Sequence, residues 1–413
     1  MMREIKQVIA IILTFFMLND ALPTGVKFME ASRLSSRPDI NKETRAMSQN
    51  FHTVVFARKQ KNVEVLKKIL MDVSDPTSKK YGQHLTKDKI ASLSKNPEAV
   101  DSILKYLARN NIHDVNTTRY DDYIIATATV QAWEEVFSTE FFEFSMSQRP
   151  GLKFVRSLHY SLPEELVDHV DTVFNTVQLP DHNAGRRLHF ERVSMNEKKT
   201  MATGETNPDL LNSFYNIQDN TGNSLTNQAV YAILDQEFSP SDLTTFQNYY
   251  GLPQEGISSD VGGHVNNDAC VADPNNCIEA NLDVQYIMAV ARSVPTIYYY
   301  WTGEDVWLDW IVAVASMSDP PDIFTISYGS YEAAFSSAYL QSFDVEAIKL
   351  GLAGTTVMAA SGDDGVAGFL VRGGSLSCGY WASFPASSPY VTAVGGTMVC
   401  MYTICVVCVY TVW

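Results

Sequence analysis

The chain has 413 residues, 46% hydrophobic and 19% charged, with a formal net charge of −16 at pH 7. That length and balance describe two or three globular domains and exclude a disordered chain. The negative field, unbroken by any basic patch, excludes nucleic acid as a partner and suits work at low pH, where carboxylates neutralise and self-repulsion falls.

At the N-terminus, Arg3 and Lys6 precede an apolar run from Val8 to Leu18, and the polar stretch NDALP follows. This reads as a secretory signal peptide over residues 1–22. The run is too short to cross a bilayer, so no stable membrane span is expected. Export to an extracellular or lysosomal compartment would let cysteines pair. Of the six, Cys270 and Cys277 bracket the turn-rich VADPNN and are candidates for a disulfide, whereas Cys378, Cys400, Cys405 and Cys408 are harder to place. Asn116 opens the sequence's N-x-S/T sequon.

From about Asn50 to Pro180, short β-like runs alternate with amphipathic helices. HTVVFAR reads as a strand, and Leu66, Ile69, Leu70 and Val73 then recur at helical spacing. YIIATATV reads as a strand running into the helical QAWEEVF. Together they predict a compact α+β domain with its own core, bounded at 46–180. Residues 181–206 are poor in aliphatics and carry the basic pair Arg186 and Arg187, the composition of an exposed linker. From Asn207, apolar strands alternate with helices: QAVYAILD, PSDLTTFQNYYG, EANLDVQYIMAVARS, TIYYYW, WLDWIVAVASM, DIFTISYG, SFDVEAIKLGLAG and TTVMAASGDDG. Such alternation predicts an α/β domain with a parallel sheet, whose sites lie beyond the carboxyl ends of the strands. Asp235, Ser327–Gly329 and Ser361–Gly365 fall there.

Glu279 and Asp283 are four residues apart, so a helix places both carboxyls on one face. Two readings follow: a solvated stripe, or a partly buried pair that shares a proton and serves as a general base with its orienting partner. Apolar residues around the predicted helix, among them Ile278, Leu282, Val284, Ile287 and Met288, leave little room for a solvated stripe. Periodicity alone leaves both open. Asp363, in the turn SGDDG, could donate a hydrogen bond to a developing oxyanion if protonated, although an ordinary Asp-Gly turn has the same sequence. Asp235 and His264 superficially imitate the Asp and His regions of subtilisin-type peptidases. His264 would then have to open a core helix, whereas VNNDACVADPNNC reads as a loop.

In order, SDPTSKKYGQHLT (74–86), EANLDVQYIMAVA, ISYGSYE, AASGDDGV and FPASSPYVTAVGGT resemble the motifs of the sedolisin, or serine-carboxyl peptidase, family, whose members include kumamolisin-like endopeptidases and tripeptidyl peptidases. The resemblance implies an α+β propeptide domain followed by a subtilisin-like α/β domain at 207–397, acting on peptide or protein substrates and with the propeptide packed on the peptidase. It makes Glu279 the general base, Asp283 its orienting carboxylate, Asp363 the oxyanion-hole aspartate and Ser327, Tyr328 and Gly329 the strand lining the substrate cleft. The family's nucleophile is a serine in a Gly-Thr-Ser turn downstream of VGGT, followed by a calcium-binding loop. Neither motif occurs in these residues. Gly354-Thr355-Thr356 has threonine where serine is needed and lies upstream of Asp363. The expectation is therefore a partial peptidase domain with an incomplete sheet, no calcium site, a hydrophobic tail at 398–413 and no activity, or alternatively a propeptide-like inhibitor or folding module for an intact relative. Whether an intact version releases tripeptides or cuts internally stays open.

Overall fold

A computed structural model describes residues 25–37, 39–147, 149–180, 206–218, 221–303, 305–368, 371 and 378–396. The expected signal peptide, the linker with Arg186 and Arg187, Thr397, the hydrophobic tail and Cys400, Cys405 and Cys408 lie outside the described residues. Two compact units divide the chain after Pro180, with Ala333–Val345 grouping with the first and the remainder with the second.

The first unit contains β1 (Val26–Ala31), β2 (Ile40–Arg45), β3 (Phe51–Arg58), α1 (Val63–Ser74), α2 (Lys87–Ser94), α3 (Pro97–Arg109), β4 (Asp114–Thr117), β5 (Tyr123–Thr129), α4 (Val130–Phe137), β6 (Phe141–Met146), β7 (Arg149–Ser157), β8 (His159–Pro163), α5 (Glu164–Val167) and β9 (Val170–Phe174). Its main sheet is antiparallel, in the order β4-β5-β3-β9. A second sheet runs β2-β6-β7, and β1 pairs with β8. Strands β1 and β2 precede the Asn50 start read from the sequence. Helix α1 buries Leu66, Leu70 and Val73 at i, i+4, i+7, the face the spacing predicts. Helix α3 starts where Pro97 occupies the first turn and the Asn96 side chain accepts from the Ala99 N–H. Phe56, Trp133, Phe137 and Tyr160 are fully buried at the centre of the core, Trp133 stacking on Phe137 at 5.4 Å between ring centroids.

The second unit contains α6 (Pro208–Phe214), β10 (Gln228–Ala232), α7 (Pro240–Tyr249), β11 (Ser259–Val261), α8 (Asn267–Ala272), α9 (Ile278–Val290), β12 (Thr296–Tyr300), α10 (Leu308–Ser316), β13 (Ile323–Ile326), β14 (Ser330–Tyr331), the later part of α11 (Ser337–Ala353), β15 (Thr356–Ala360), β16 (Ser383–Phe384) and β17 (Thr392–Val394). Six strands form a parallel sheet in the order β11-β12-β10-β13-β15-β17. All five residues of β10 are buried, as expected of a central strand covered on both faces. From β10 the chain first builds β11 and β12 on one side and then β13, β15 and β17 on the other. The order therefore reverses at β10, the kind of switch point beside which sites of parallel α/β sheets lie.

Two local expectations need correction. VNNDACVADPNNC is largely helical: the Asn266 side chain accepts from the N–H groups of Asp268 and Ala269 and so starts α8, and a short 3-10 turn follows at Pro274–Asn276. Helix α9 is also less enclosed than its composition suggests, because Leu282 is 48% exposed while Ala280, Val284 and Met288 form the buried face.

Candidate active site

In a parallel α/β unit, the helix that follows one strand begins at the carboxyl edge of the sheet. Helix α9 lies in the crossover from β11 to β12, so its first turns, with Glu279 and Asp283, reach that edge. Its buried face packs with Val230 and Ala232 of β10 and Tyr298 and Tyr300 of β12. Ser327 directly follows β13, and Asp363 follows β15 by three residues. Residues about 80 apart in sequence thus converge on one edge.

The Ser327 hydroxyl donates to Asp283 Oδ1 at 2.7 Å. Asp283 Oδ2 is enclosed and receives no donor, although the residue as a whole keeps some exposure. Burial, and then the negative charge of Glu279, push the Asp283 carboxyl well above its ordinary range, against the opposing effect of the Ser327 hydroxyl. Glu279 is pushed up to about 7, first by burial and then by the charge of Asp363, again opposed by Ser327. The first turn of a helix favours an anion, a contribution of roughly 0.3–1 kcal/mol that desolvation here exceeds. Both carboxyls therefore favour the protonated form, and the donor-less Asp283 Oδ2 is the oxygen where a proton removes an otherwise unpartnered buried charge.

Tyr286, a further turn along α9, donates its hydroxyl to the Thr206 carbonyl at 2.7 Å and is not part of this cluster. Tyr328 is buried, its ring edge-on to Tyr231. Gly329 leads into β14, where an added Cβ would lie 2.4 Å from Ser383 Oγ, so the β14–β16 pair approaches as closely as a missing side chain permits. At the Asp363 turn, Gly362 has φ +97°, a conformation that glycine adopts without strain. Cys270 and Cys277 form a disulfide with a Cα–Cα distance of 5.5 Å, immediately before α9.

Asp235 and His264 both touch Tyr300. The His264 ring stacks on the tyrosine ring at 3.4 Å, while the Asp235 N–H donates to the tyrosine hydroxyl at 3.0 Å. His264 Nδ1 faces the Gly262 carbonyl, and the residue precedes α8 rather than opening a core helix. Gln236 escaped the sequence reading. It is 4% exposed, its Oε1 accepts from the Glu279 N–H at 3.1 Å, and its Nε2 donates to the Asn275 carbonyl at 3.1 Å. A buried amide right after a core strand was the available signal. The calcium implied by the resemblance would need a cluster of oxygen ligands. Among the described residues there is no group of three or more His, Cys, Asp or Glu side chains placed to hold a metal ion.

The chain thus joins an α+β unit to a parallel α/β unit whose carboxyl edge carries a partly buried Glu-Asp pair. Residues 38–179 match the family described as Pro-kumamolisin, activation domain. Tripeptidyl-peptidase 1 of Mus musculus and of Homo sapiens are each 31% identical to this chain over 357 residues, 84% of the chain. The Dictyostelium discoideum tripeptidyl-peptidase 1 is 30% identical over 387 residues. The chain spans 61% of the length of the mouse and human proteins. A solved Pseudomonas sedolisin, a serine-carboxyl proteinase complexed with pseudo-iodotyrostatin, aligns over 46% of this chain and 53% of its own, with 24% identity and a TM-score of 0.38. By its sequence matches, the chain carries a pro-kumamolisin-type activation domain and is similar over most of its length to tripeptidyl-peptidase 1.

Proposed function

We propose that the chain is an acid-acting serine-type peptidase precursor of the secretory pathway in which Glu279 is the general base, Asp283 its orienting partner and Asp363 the hydrogen-bond donor to the oxyanion. The carrying observation is the Glu279-Asp283-Ser327 cluster at the carboxyl edge of the parallel sheet, with Asp363 acting on Glu279. A base that must take a proton from a hydroxyl and return it to a leaving amine works best near its own pKa. A protonated Asp363 would stabilise the developing oxyanion without adding charge. Residues 1–413 contain no Gly-Thr-Ser after Asp363, so these residues alone are proposed to lack the attacking hydroxyl and to be inactive. The extracellular or lysosomal destination rests on the N-terminal apolar run. No helix among the described residues is long and apolar enough to cross a membrane.

Peptide hydrolysis at about pH 3–5, spanning ordinary carboxyl pKa values, tests this reading. The chain alone should cleave nothing, and a chimera continued with the C-terminal part of tripeptidyl-peptidase 1 should cleave and lose that activity on Glu279→Gln. Hydrolysis by the chain alone would overturn the inactivity. Hydrolysis by the chimera that survives Glu279→Gln would overturn the assigned base. A second reading, an inhibitor or folding module, is favoured by the 38–179 domain burying hydrophobic core clusters of its own. That reading fails if the domain binds no intact serine-carboxyl peptidase.

A further inference from the structure

A glutamate in the first turn of a helix is drawn to the unpaired N–H groups there, and a bond from an N–H holds a carboxyl in its charged form. Glu279 occupies such a position, because α9 starts at Ile278 and Cys277 before it supplies no side-chain cap. Its own N–H is nevertheless engaged. The Gln236 side-chain oxygen accepts it at 3.1 Å, and the Glu279 carboxyl accepts from no backbone N–H among the described residues. Resting on the reading of Glu279 as the base, we infer that Gln236 is its positioning residue: by taking the Glu279 N–H, the amide fixes the first turn of α9 to the loop after β10 and keeps the carboxyl from folding back onto its own backbone, so that it stays available to a hydroxyl.

Such a role requires Gln236 itself to be fixed. It is buried, its Nε2 donates to the Asn275 carbonyl at 3.1 Å, and its backbone carbonyl accepts the Tyr298 hydroxyl at 2.7 Å. The N–H of the next residue, Glu237, donates to the Asn276 carbonyl at 2.7 Å. The two residues before it, Leu234 and Asp235, have φ of +60° and +57°. Residues other than glycine rarely adopt that conformation, and two in succession persist only where the surrounding contacts hold them. The bend that delivers Gln236 to α9 is thus maintained against its own strain. A glutamine suits the place because its amide donates and accepts at once and carries no charge, whereas a carboxylate would repel the base. The titratable groups that act on Glu279 are Asp283 on the same helix, Asp363 after β15 and Tyr328 after β13. Gln236 bonds to none of these three, so an uncharged substitution at 236 reaches the Glu279 carboxyl through its own turn of α9.

The test follows the full chain by NMR, with 13C-labelled Glu carboxyls and 15N-labelled amides, the Glu279 signals being assigned through Glu279→Gln. In wild type the carboxyl should titrate at about 7. The Glu279 amide proton, held by a neutral acceptor, should show no large shift across that midpoint. Gln236→Ala frees the N–H for the carboxylate, which should lower the midpoint by about one pH unit and make the amide proton titrate in step with the carboxyl. A loss of packing alone would not couple the two signals. If the alanine variant does not fold, Gln236→Met keeps the bulk without the acceptor and should act the same way. Gln236→Glu keeps an acceptor oxygen and should not lower the midpoint. The inference is overturned by a wild-type amide proton that already titrates with the carboxyl, by an unchanged midpoint in folded Gln236→Ala or Gln236→Met, or by a fall in Gln236→Glu that matches theirs. A wild-type Glu279 that titrates like an exposed carboxyl instead overturns the base reading on which it rests.

Discussion

The Glu279 backbone N–H donates to the side-chain oxygen of Gln236 at 3.1 Å, which ties the first turn of α9 to the loop after β10. The first four N–H groups of a helix lack partners within it, and Cys277 at the start of α9 supplies no side-chain cap. Gln236 fills that role from another segment. Its Nε2 holds the Asn275 carbonyl, and its own carbonyl accepts the Tyr298 hydroxyl at 2.7 Å. Gln236→Ala removes both side-chain bonds at a buried position and should destabilise the second unit by about 1–3 kcal/mol. Urea unfolding measures the loss. Gln236→Glu should keep the acceptor, lose the donor to Asn275 and push the Glu279 midpoint higher through like-charge repulsion.

Glu279 makes stability depend on pH. Its folded-state pKa, about 7, lies above the ordinary glutamate value of 4.5, so the native state binds the proton more tightly than the unfolded chain. That contribution is fully present below about pH 4.5 and is lost as pH rises through about 7. The difference is of the order of 3–4 kcal/mol, at about 1.4 kcal/mol for each pH unit that separates the folded and unfolded values. Asp283, raised in the same direction, adds to it. Glu279→Gln should therefore flatten the stability profile between pH 5 and 7 (about the two midpoints), measured by denaturation at each pH. A profile with the same slope in the variant would assign the dependence to other groups.

The elements that were legible in the sequence have strong periodicity. Leu66, Leu70 and Val73 marked α1, and the apolar runs QAVYA and TVMAA marked β10 and β15. Strand β10 is buried along its whole length, as a central parallel strand covered on both faces requires, whereas β15 fully buries only Val357 and Ala359. Strands β1 and β2 were not legible, because the burial of β2 shows five exposed residues after Ile40 and carries no apolar alternation. Helix α8 was hidden by its Asn and Asp residues, which read as turn formers until Asn266 is seen as a cap. The carboxyl pair was suspect from its spacing. The part played by Ser327 was not, since a hydroxyl 44 residues away reaches Asp283 only through the register of β13 in the sheet.

The disulfide between Cys270 and Cys277 closes a short loop at the threshold of α9. Its cysteines are both buried, and Asp273 within the loop accepts from the Asn275 N–H at 3.0 Å. Constraining so short a loop in the unfolded chain is worth about 2 kcal/mol. Cys270→Ser with Cys277→Ser should lower the melting temperature of the second unit by several degrees, and a reductant should do the same to wild type but not to the double variant. Because Cys277 immediately precedes the helix that carries Glu279, the double variant should also broaden the Glu279 titration, read from its carboxyl resonance.

In the first unit, the side chain of Arg58 at the end of β3 is 1% exposed and forms an ion pair with Asp122, 6% exposed. The guanidinium also donates to the carbonyls of Asp121 at 2.8 Å and Ser94 at 3.0 Å, so one side chain joins the β4–β5 turn to the end of α2. Such a pair adds little over a well-packed apolar replacement, but removing one partner strands a buried charge. Asp122→Ala should therefore cost about 3–5 kcal/mol, and Arg58→Met a similar amount because it leaves Asp122 without the guanidinium. The double variant Arg58→Met with Asp122→Leu should be less destabilised than the sum of the two single losses, giving a coupling energy of about 0.5–3 kcal/mol in a double-mutant cycle. Additive losses would mean that the carbonyl contacts of Arg58, and not its charge on Asp122, hold this corner of the domain together.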